Sequence, residues 1–306
     1  MATLREIRRR ISGVKSTQKI TKAMKMISAA KLRRAQDAVI SARPYAKKMK
    51  ELLQHLAGVV DVTAHPLFTV REVKSIAVVV VTADRGLCGA FNANIIRAAV
   101  QHIRTNYPAL QSAGKLSLIC VGRKGFDFFH KNNYHITNKH LGLFAGLTFS
   151  KAQGIIDEIV RGFSEGEFDR VNIVYNEFKS IMQQRIIIDQ MLPIPSADIQ
   201  PTSAESTTSQ VGIHLKSHTD YIYEPSSAAI ISALVPKHLN FQLWRVLLES
   251  FAAEQGARMT AMDNATTNAS DLIDALQLSY NKARQSSITK ELLEIVSGAE
   301  ALKKAG

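Results

Sequence analysis

The two ends of this chain carry helical heptad patterns that are too long to be buried within a compact domain. From Leu4 to Val60, apolar residues recur three and four positions apart over eight repeats. The segment from Lys237 to Gly306 contains no proline and repeats the helical spacing. Helices of these lengths measure roughly 80 and 110 Å, whereas a compact domain is about 30 to 50 Å across. We therefore expect the two ends to pack on each other as a long antiparallel coiled coil.

The seam of the N-terminal pattern becomes polar in its middle. The heptad positions there hold Gln18, Thr21, Lys25 and Ser28, while Ile20, Met24 and Ile27 lie one position away. A helix drifts by about 20° per heptad relative to a strict 3.5 repeat. The apolar stripe is therefore expected to rotate out of the seam, so that Met24 faces something other than the partner helix. Pro44 is expected to kink or strain the first helix.

Strands and helices alternate between the two ends. Apolar runs at residues 75–84, 115–122, 168–178 and 183–192 predict strands, and the first is followed by the helical pattern NANIIRAAVQHI. Such alternation is typical of an α/β domain. The predicted segments are an N-terminal helix over 1–62, an α/β domain over 70–195, an exposed Pro, Ser and Thr-rich loop over 193–218, and a C-terminal helix over 220–306.

No motif in the chain predicts catalysis or the binding of a metal ion or cofactor. The stretch TADRGLCGAFNANI follows a strand, but Gly86 and Gly89 match neither of the usual nucleotide-binding spacings. A tight strand-to-helix turn explains both glycines. GRKGF, at 122–126, is expected to be a turn with two solvated cations. His214 and His218 lie four apart in a loop-like stretch, which makes a weak metal site.

The two cysteines and the apolar runs exclude further classes of protein. Cys88 and Cys120 lie in unrelated contexts, so neither a disulfide framework nor a zinc site is expected, and both thiols are predicted to be small buried side chains. The apolar runs, such as Ile76 to Val81, are far shorter than the roughly 18 to 20 residues needed to span a bilayer.

The N-terminal segment is strongly basic. The first fifty residues hold fifteen Lys or Arg against two acids, Glu6 and Asp37, and the net charge of the whole chain is +13. Nucleic acid, a membrane surface and an acidic protein surface all suit such a helix. The first aromatic residue is Tyr45, which disfavours a nucleic-acid site, and the long heptad seam disfavours a membrane-surface helix. The basic pattern continues past residue 40 with few serines, so we expect mature structure rather than a transit peptide.

Four stretches of the sequence resemble the gamma subunits of F-type ATP synthases. They are TQKITKAMKMISAAKLRRAQ, VTADRGLCGAFN, YIYEP and SYNKARQSSITKELLEIVSGAEAL, and they occur in the family's order across the whole chain. The resemblance implies terminal helices that form an antiparallel coiled coil inside a ring of alternating alpha and beta subunits, with a Rossmann-like domain as the foot. It implies a non-catalytic rotor subunit, which couples proton flow through a membrane ring to the conformational cycle of the beta subunits.

The resemblance also assigns contacts to individual residues. Met24 and Lys25 match positions where the N-terminal helix passes an acidic loop of beta. Positions where the C-terminal helix contacts beta or its helix partner match Arg258, Arg284, Gln285, Thr289 and Glu291. Tyr221 and Glu224 match the part of the foot that touches the membrane ring. No catalytic, metal-binding or cofactor-binding residue is implied.

The implied partners are three alpha subunits, three beta subunits, an epsilon subunit and the membrane c-subunit ring. The resemblance implies no nucleic acid, and membrane association only through the complex, on the cytoplasmic face of a bacterial inner membrane or, as the alternative, on the matrix side of a mitochondrial one. A nucleic-acid-binding coiled-coil protein is the alternative function. It predicts DNA binding by the basic helix with a steep salt dependence, whereas the rotor function predicts a complex with ATPase subunits.

Overall fold

A long helix at each end of the chain flanks a five-stranded sheet. The computed structural model describes residues 3–59, 65–180, 183–195, 224 and 226–305. Its helices are α1 Leu4–Val59, α2 Phe91–Asn106, α3 Pro108–Ser112, α4 Arg123–Lys131, α5 Phe149–Ser164 and α6 Ser227–Ala305. Its strands are β1 Ile76–Val81, β2 Leu116–Val121, β3 Ile136–His140, β4 Arg170–Phe178 and β5 Gln184–Leu192. This architecture confirms the predicted fold class.

The chain divides into two compact units. The first comprises residues 1–30 and 258–306, and the second comprises residues 31–257. Both α1 and α6 contribute to each unit, α1 running through Pro44 and α6 through Pro236 without ending.

The sheet of the second unit has the strand order β3-β2-β1-β4-β5. Strands β1 to β4 are parallel, and β5 adds to the edge of β4 in the antiparallel direction. The central strand β1 has the sequence IAVVVV, and all six of its side chains are buried. A run of β-branched residues without polar alternation is typical of a parallel strand that is covered on both faces.

Alternate residues of β1 enter two different cores, because successive side chains of a strand point to opposite faces. On one face, Val79 and Val81 lie in a core with Ile155 and Ile159 of α5. The helices α1 and α6 complete that core with Leu53, Leu56, Leu243 and Leu247. On the other face, Val78 and Val80 pack with α2 and α4 residues such as Ile95 and Phe129. The terminal helices therefore form part of the core of the second unit.

The first unit consists of the beginning of α1 and the end of α6. The Thr21 hydroxyl lies 2.7 Å from the Thr266 hydroxyl, and the Lys25 ammonium lies 2.5 Å from an Asp263 carboxylate oxygen. The partner residue number falls as the α1 number rises, so the two helices run antiparallel, as predicted. The residues of least exposure follow the heptad seam: Ile7, Thr21, Ser28, Arg258, Met262, Ala269 and Ile273.

The structure differs from the sequence predictions at several places. GRKGF is not a turn: Gly122 precedes α4, and Arg123 is its first residue, although Arg123 and Lys124 are exposed as predicted. The patterns did not predict β3 or α5. Pro193 and Ile194, at the start of the segment predicted as an exposed loop, are buried beside the end of β5. Residues 196–218 of that segment, with His214 and His218, lie outside the described residues.

Candidate functional site

The carboxyl ends of the parallel strands are the first place to look for a ligand site. In open α/β sheets, ligands bind beyond the carboxyl ends of the strands, where the strand order reverses. In this chain β1 has β2 on one side and β4 on the other, so the order reverses at β1. The segments that leave β1 and β2 at this edge lead into α2 and α4, whose first amides would be the donors to an anion such as phosphate.

Residues of this chain already occupy the first amides of α4. The Arg123 amide donates to the Asp84 carboxylate at 3.2 Å, and the Lys124 amide donates to the Ala83 carbonyl at 3.1 Å. The Gly125 amide donates to the Thr82 hydroxyl at 2.8 Å. Asp84 also accepts from the Gly142 amide at 2.8 Å. Three consecutive residues after β1 thus take the place at the α4 N-terminus that a phosphate takes in nucleotide-binding folds.

The segment between β1 and α2 covers residues 82–90, which is longer than the tight turn that its two glycines predicted. Gly89 adopts a positive φ of 58°, but Gly86 does not. Leu87 is the other residue with a positive φ, at 63°, and its side chain is 66% exposed. The Asn92 side chain ties the turn to the end of β1 by accepting from the Ala83 amide at 2.9 Å.

Both cysteines are buried, which confirms the prediction for them. Cys88 is 1% exposed, and its sulfur accepts a hydrogen bond from the Asn92 amide group at 3.2 Å. Cys120 lies on β2, and burial raises the pKa of its thiol to about 12. A thiol with such a pKa carries almost no thiolate at neutral pH, and the thiolate is the nucleophile. Neither cysteine has the surroundings of a catalytic residue.

The described residues contain neither a metal-binding cluster nor a membrane-spanning helix. No group of three or more His, Cys, Asp or Glu side chains lies close enough to hold a metal ion within those residues. None of the helices in the described part of the chain combines the length and the apolar character required to cross a bilayer.

The basic helix forms a cleft with α6 in the first unit. The cleft has a volume of about 510 Å³ and is lined by Gln18, Lys19, Lys22, Lys25, Met26, Asp263 and Thr266. We call it the lysine cleft. Three of its residues are lysines, spaced three apart on α1, and one is an acid, so the cleft carries a net positive charge. Its chemistry suits an acidic partner that also offers an apolar contact, because the Met26 side chain is 60% exposed.

Polar residues, not apolar ones, face α6 beside the lysine cleft. Thr21 and Ser28 are 8% and 2% exposed, whereas Ile20 and Ile27 are 57% and 56% exposed. The apolar stripe therefore leaves the seam, as expected, but the heptad positions remain the buried ones. Met24, between the two, is half-buried. The outcome is a basic helix face that also presents isoleucine and methionine side chains.

The last part of α6 extends past the beginning of α1. By the register of the Thr21–Thr266 and Lys25–Asp263 contacts, Leu4 lies roughly level with Ala283. Beyond that level, large apolar side chains are at least half exposed; they are Ile288, Leu292, Leu293, Ile295 and Val296. An apolar surface of this kind marks a site of interaction with another protein.

Six of the residues assigned by resemblance lie on two surfaces, whereas Arg258 is buried within the chain. Lys25 lies in the lysine cleft with Met24 beside it, and Arg258 is 9% exposed within the chain. The exposed end of α6 carries the others; they are Arg284, Gln285, Thr289 and Glu291. At about 1.5 Å per residue, these lie roughly 30 to 40 Å along α6 from Asp263.

Local hydrogen bonds orient two of the residues at the end of α6. The Thr289 hydroxyl donates to the Gln285 carbonyl at 2.9 Å, and the Ser287 hydroxyl donates to the Glu291 carboxylate at 3.3 Å. In the foot, Glu224 is exposed, whereas Tyr221 lies outside the described residues. These assigned contacts remain predictions.

Sequence reasoning assigned one residue of the lysine cleft, Lys25, and missed the other six that line it: Gln18, Lys19, Lys22, Met26, Asp263 and Thr266. Lys19 and Lys22 were part of the noted basic pattern, and their spacing from Lys25 on one helix was the signal that could have grouped them. Asp263 and Thr266 lie 238 and 245 residues from their partners, so no local pattern joins them. Only the register of the two helices brings them to the cleft.

Comparison with known proteins gives one family. A family model described as ATP synthase matches residues 3–302. The chain is 52% identical over 306 residues to the ATP synthase gamma chain of Chloroherpeton thalassium, covering 100% of both chains. It is 53% identical over 304 residues to the ATP synthase gamma chain of Chlorobaculum tepidum, covering 99% of this chain and 100% of the relative.

Solved structures share the fold. A chain of the Euglena gracilis mitochondrial ATP synthase, in a structure of OSCP, F1 and c-ring in rotational state 3, is similar with a TM-score of 0.66 and 22% identity over 98% of this chain and 94% of that one. A chain from the central stalk and c-ring of the Tetrahymena thermophila mitochondrial ATP synthase has a TM-score of 0.58 and 23% identity over 80% of this chain and 99% of that one.

Proposed function

The chain belongs to the ATP synthase gamma-chain family, and we propose that it is the central-stalk rotor subunit of an F-type ATP synthase. In this role it couples ion flow through a membrane ring to the conformational cycle of the catalytic beta subunits during ATP synthesis and hydrolysis. The observation that carries the proposal is the match to gamma chains over the full length of the chain. Nothing in the comparisons favours the nucleic-acid-binding alternative.

The proposed subunit makes and breaks no covalent bond itself. The first amides of α4, at the carboxyl edge of its sheet, are taken by Asp84, Ala83 and Thr82, so this helix N-terminus is not free to bind a phosphate. Its proposed partners are three alpha and three beta subunits, an epsilon subunit and the c-subunit ring. Its proposed location is the cytoplasmic face of a bacterial inner membrane, and it meets the membrane only through the complex.

The two surfaces give the proposed rotor two kinds of contact with its surroundings. The apolar end of α6 needs cover from another protein, and the head formed by alpha and beta subunits would supply it at Arg284, Gln285, Thr289 and Glu291. Met24, Lys25 and Arg258 are proposed to meet beta near the lysine cleft, and Tyr221 and Glu224 the membrane ring. Exposed ion pairs are each worth only about 0 to 1 kcal/mol, so a cationic surface attracts an acidic loop without fixing the rotor at one angle.

Copurification tests the proposed function. The chain, tagged and purified from detergent-solubilised membranes, should bring alpha, beta and epsilon subunits in a three, three, one and one assembly. Recovery of the chain without these subunits from membranes that contain them would contradict the proposal. Under the nucleic-acid alternative, the same chain would instead be retained on a DNA column and released by moderate salt.

Coupling should be sensitive to one more cation beside the acidic loop. The Met24→Lys variant is expected to lower the ATP yield per translocated proton, because an added ion pair deepens the energy well at the docked angle by up to about 1 kcal/mol. The measurement compares proton pumping with ATP hydrolysis in membrane vesicles. Ile40→Lys is the matched control, since it adds the same charge to an exposed position of the same helix. An unchanged ratio in the Met24→Lys vesicles would contradict the proposed contact.

A further inference from the structure

Lys25 differs from its neighbouring lysines because it is paired within the chain. Its ammonium lies 2.5 Å from the Asp263 carboxylate, with the two side chains 40% and 54% exposed. Lys19 and Lys22 line the same cleft. Both are exposed, and neither forms an ion pair among the described residues. One cation of the cleft is thus neutralised by α6, while two point to solvent.

The Lys25–Asp263 pair lies where the α1 side of the helix seam is polar. Lys25 occupies a heptad position between Thr21 and Ser28, and the large apolar side chain of the seam at this level is the buried Met262 of α6. One helical turn away, the Thr21 and Thr266 hydroxyls are 2.7 Å apart. Each hydroxyl also has a carbonyl acceptor in its own helix, Met262 at 2.7 Å for Thr266 and Gln18 at 3.0 Å for Thr21. Two polar links therefore join the helices at this interval.

We propose that Lys25 acts through Asp263, as one half of an intrachain clasp that holds α1 against α6, and that Lys19 and Lys22 carry the attraction of the cleft for an acidic partner. The inference rests on the proposed rotor function and refines it: Lys25 acts on the contact with beta through Asp263 and not by touching beta itself. Asp263 is then a positioning residue. The clasp requires only that residues 25 and 263 carry opposite charges, whichever of the two is the cation.

Exchanging the two charges separates a clasp from a direct contact. The variants are Lys25→Glu, Asp263→Lys and the double variant that carries both, which restores an ion pair with its direction reversed and keeps the net charge of the chain. Each is assembled into the complete ATP synthase in vesicles, and proton pumping is measured against ATP hydrolysis. We expect each single variant to lower coupling roughly two- to fivefold and the double variant to regain most of it. A double variant as poorly coupled as Lys25→Glu would overturn the proposal.

A spectroscopic readout tests the clasp without the other subunits. Spin labels at the exposed positions Ser16 and Asp271 lie level with each other on α1 and α6 by the same register. The distance distribution between them should broaden in both single variants and narrow again in the double variant. Equal distributions in all four proteins would overturn the clasp. If no complex forms even with the original chain, the proposed function fails, while this readout still decides the clasp.

The second half of the proposal is tested on Lys19 and Lys22. Neutralising both, as Lys19→Gln with Lys22→Gln, should weaken association with an assembled alpha and beta head roughly two- to fivefold per lysine and should reduce the salt dependence of binding. The spin-label distances should not change. Lys15→Gln is the matched control, because Lys15 is an exposed lysine of the same helix that does not line the cleft. Binding by the double variant that equals that of the Lys15→Gln control would overturn the assignment.

Discussion

The close approach of Gly122 to the end of β1 leads to a sharp prediction. Gly122 precedes α4 with φ of 93° and ψ of 145°, a conformation that side chains avoid. A β-carbon added there would lie 2.0 Å from the Thr82 carbonyl oxygen and 2.7 Å from the Thr82 carbonyl carbon. Both contacts are with backbone atoms, so a rotamer change of a side chain does not relieve them. We expect Gly122→Ala to force β1 and β2 apart at this edge.

The size of the effect has two contributions. A left-handed backbone costs a residue with a β-carbon about 1 to 2 kcal/mol, and overpacking of a close-packed region costs about 1 to 3 kcal/mol. Gly122→Ala should therefore lower the free energy of unfolding by about 2 to 5 kcal/mol. Gly114→Ala is the matched control, because Gly114 has φ of 69° but no atom within 4 Å of an added β-carbon. That control should lose only the first contribution, about 1 to 2 kcal/mol.

Trp244 provides the assay for this comparison. It is the single tryptophan of the chain, and it packs against the core of the second unit. Its ring centroid lies 5.9 Å from that of Phe149. Urea unfolding of the purified full chain, followed by tryptophan fluorescence, gives the free energy for each variant. If the two variants lose the same stability within about 0.5 kcal/mol, the argument from the Thr82 contact is refuted.

Two further predictions concern single titratable groups. Burial raises the pKa of Asp169, but hydrogen bonds from Lys74 and Ser75 outweigh burial and keep that pKa below its ordinary 3.8. The ionised Asp169 carboxylate therefore stabilises the folded chain above pH 3.8, and this contribution is lost as the pH falls through the pKa of the folded state. Asp169→Asn should cost about 1 to 2 kcal/mol in urea unfolding at pH 7 and remove that acid dependence, whereas Asp157→Asn, at an exposed position, should do neither. Burial raises the pKa of Cys120 to about 12, so iodoacetamide at pH 8 should label Cys120 only in denaturant, as read by peptide mass spectrometry; labelling of the native chain would contradict its burial.

Runs of apolar residues in the sequence predicted most of the strands. Continuous apolar runs identified β1 and β2, because strands in the interior of a sheet lack polar alternation, and shorter stretches rich in Val and Ile identified β4 and the edge strand β5. The edge strand β3, with the sequence ITNKH, has one large apolar residue and alternates between half-buried and exposed positions. Such a strand forms because it pairs with the neighbouring strand, here β2, and its own composition gives little sign of it.

The misassigned α4 shows why a local pattern can mislead. The two glycines of GRKGF are typical of a turn, yet Gly125 lies inside α4, where an added β-carbon would be 2.9 Å from the Thr82 hydroxyl. Packing against β1, and not backbone freedom, accounts for that glycine. The same holds for the site: Lys25 was assigned through family resemblance, but its ion pair with Asp263 depends on a contact between residues 238 apart in the chain.

Because Asp84, Ala83 and Thr82 accept hydrogen bonds from the first amides of α4, ATP cannot bind at this helix N-terminus, although the proposed neighbouring subunits bind and convert ATP. A sheet of this topology with free amides would titrate with cellular ATP and phosphate, and its stability would follow the energy state of the cell. A carboxylate built into the chain is present at constant effective concentration. The contacts at the α4 N-terminus are therefore the same at every concentration of ATP and phosphate.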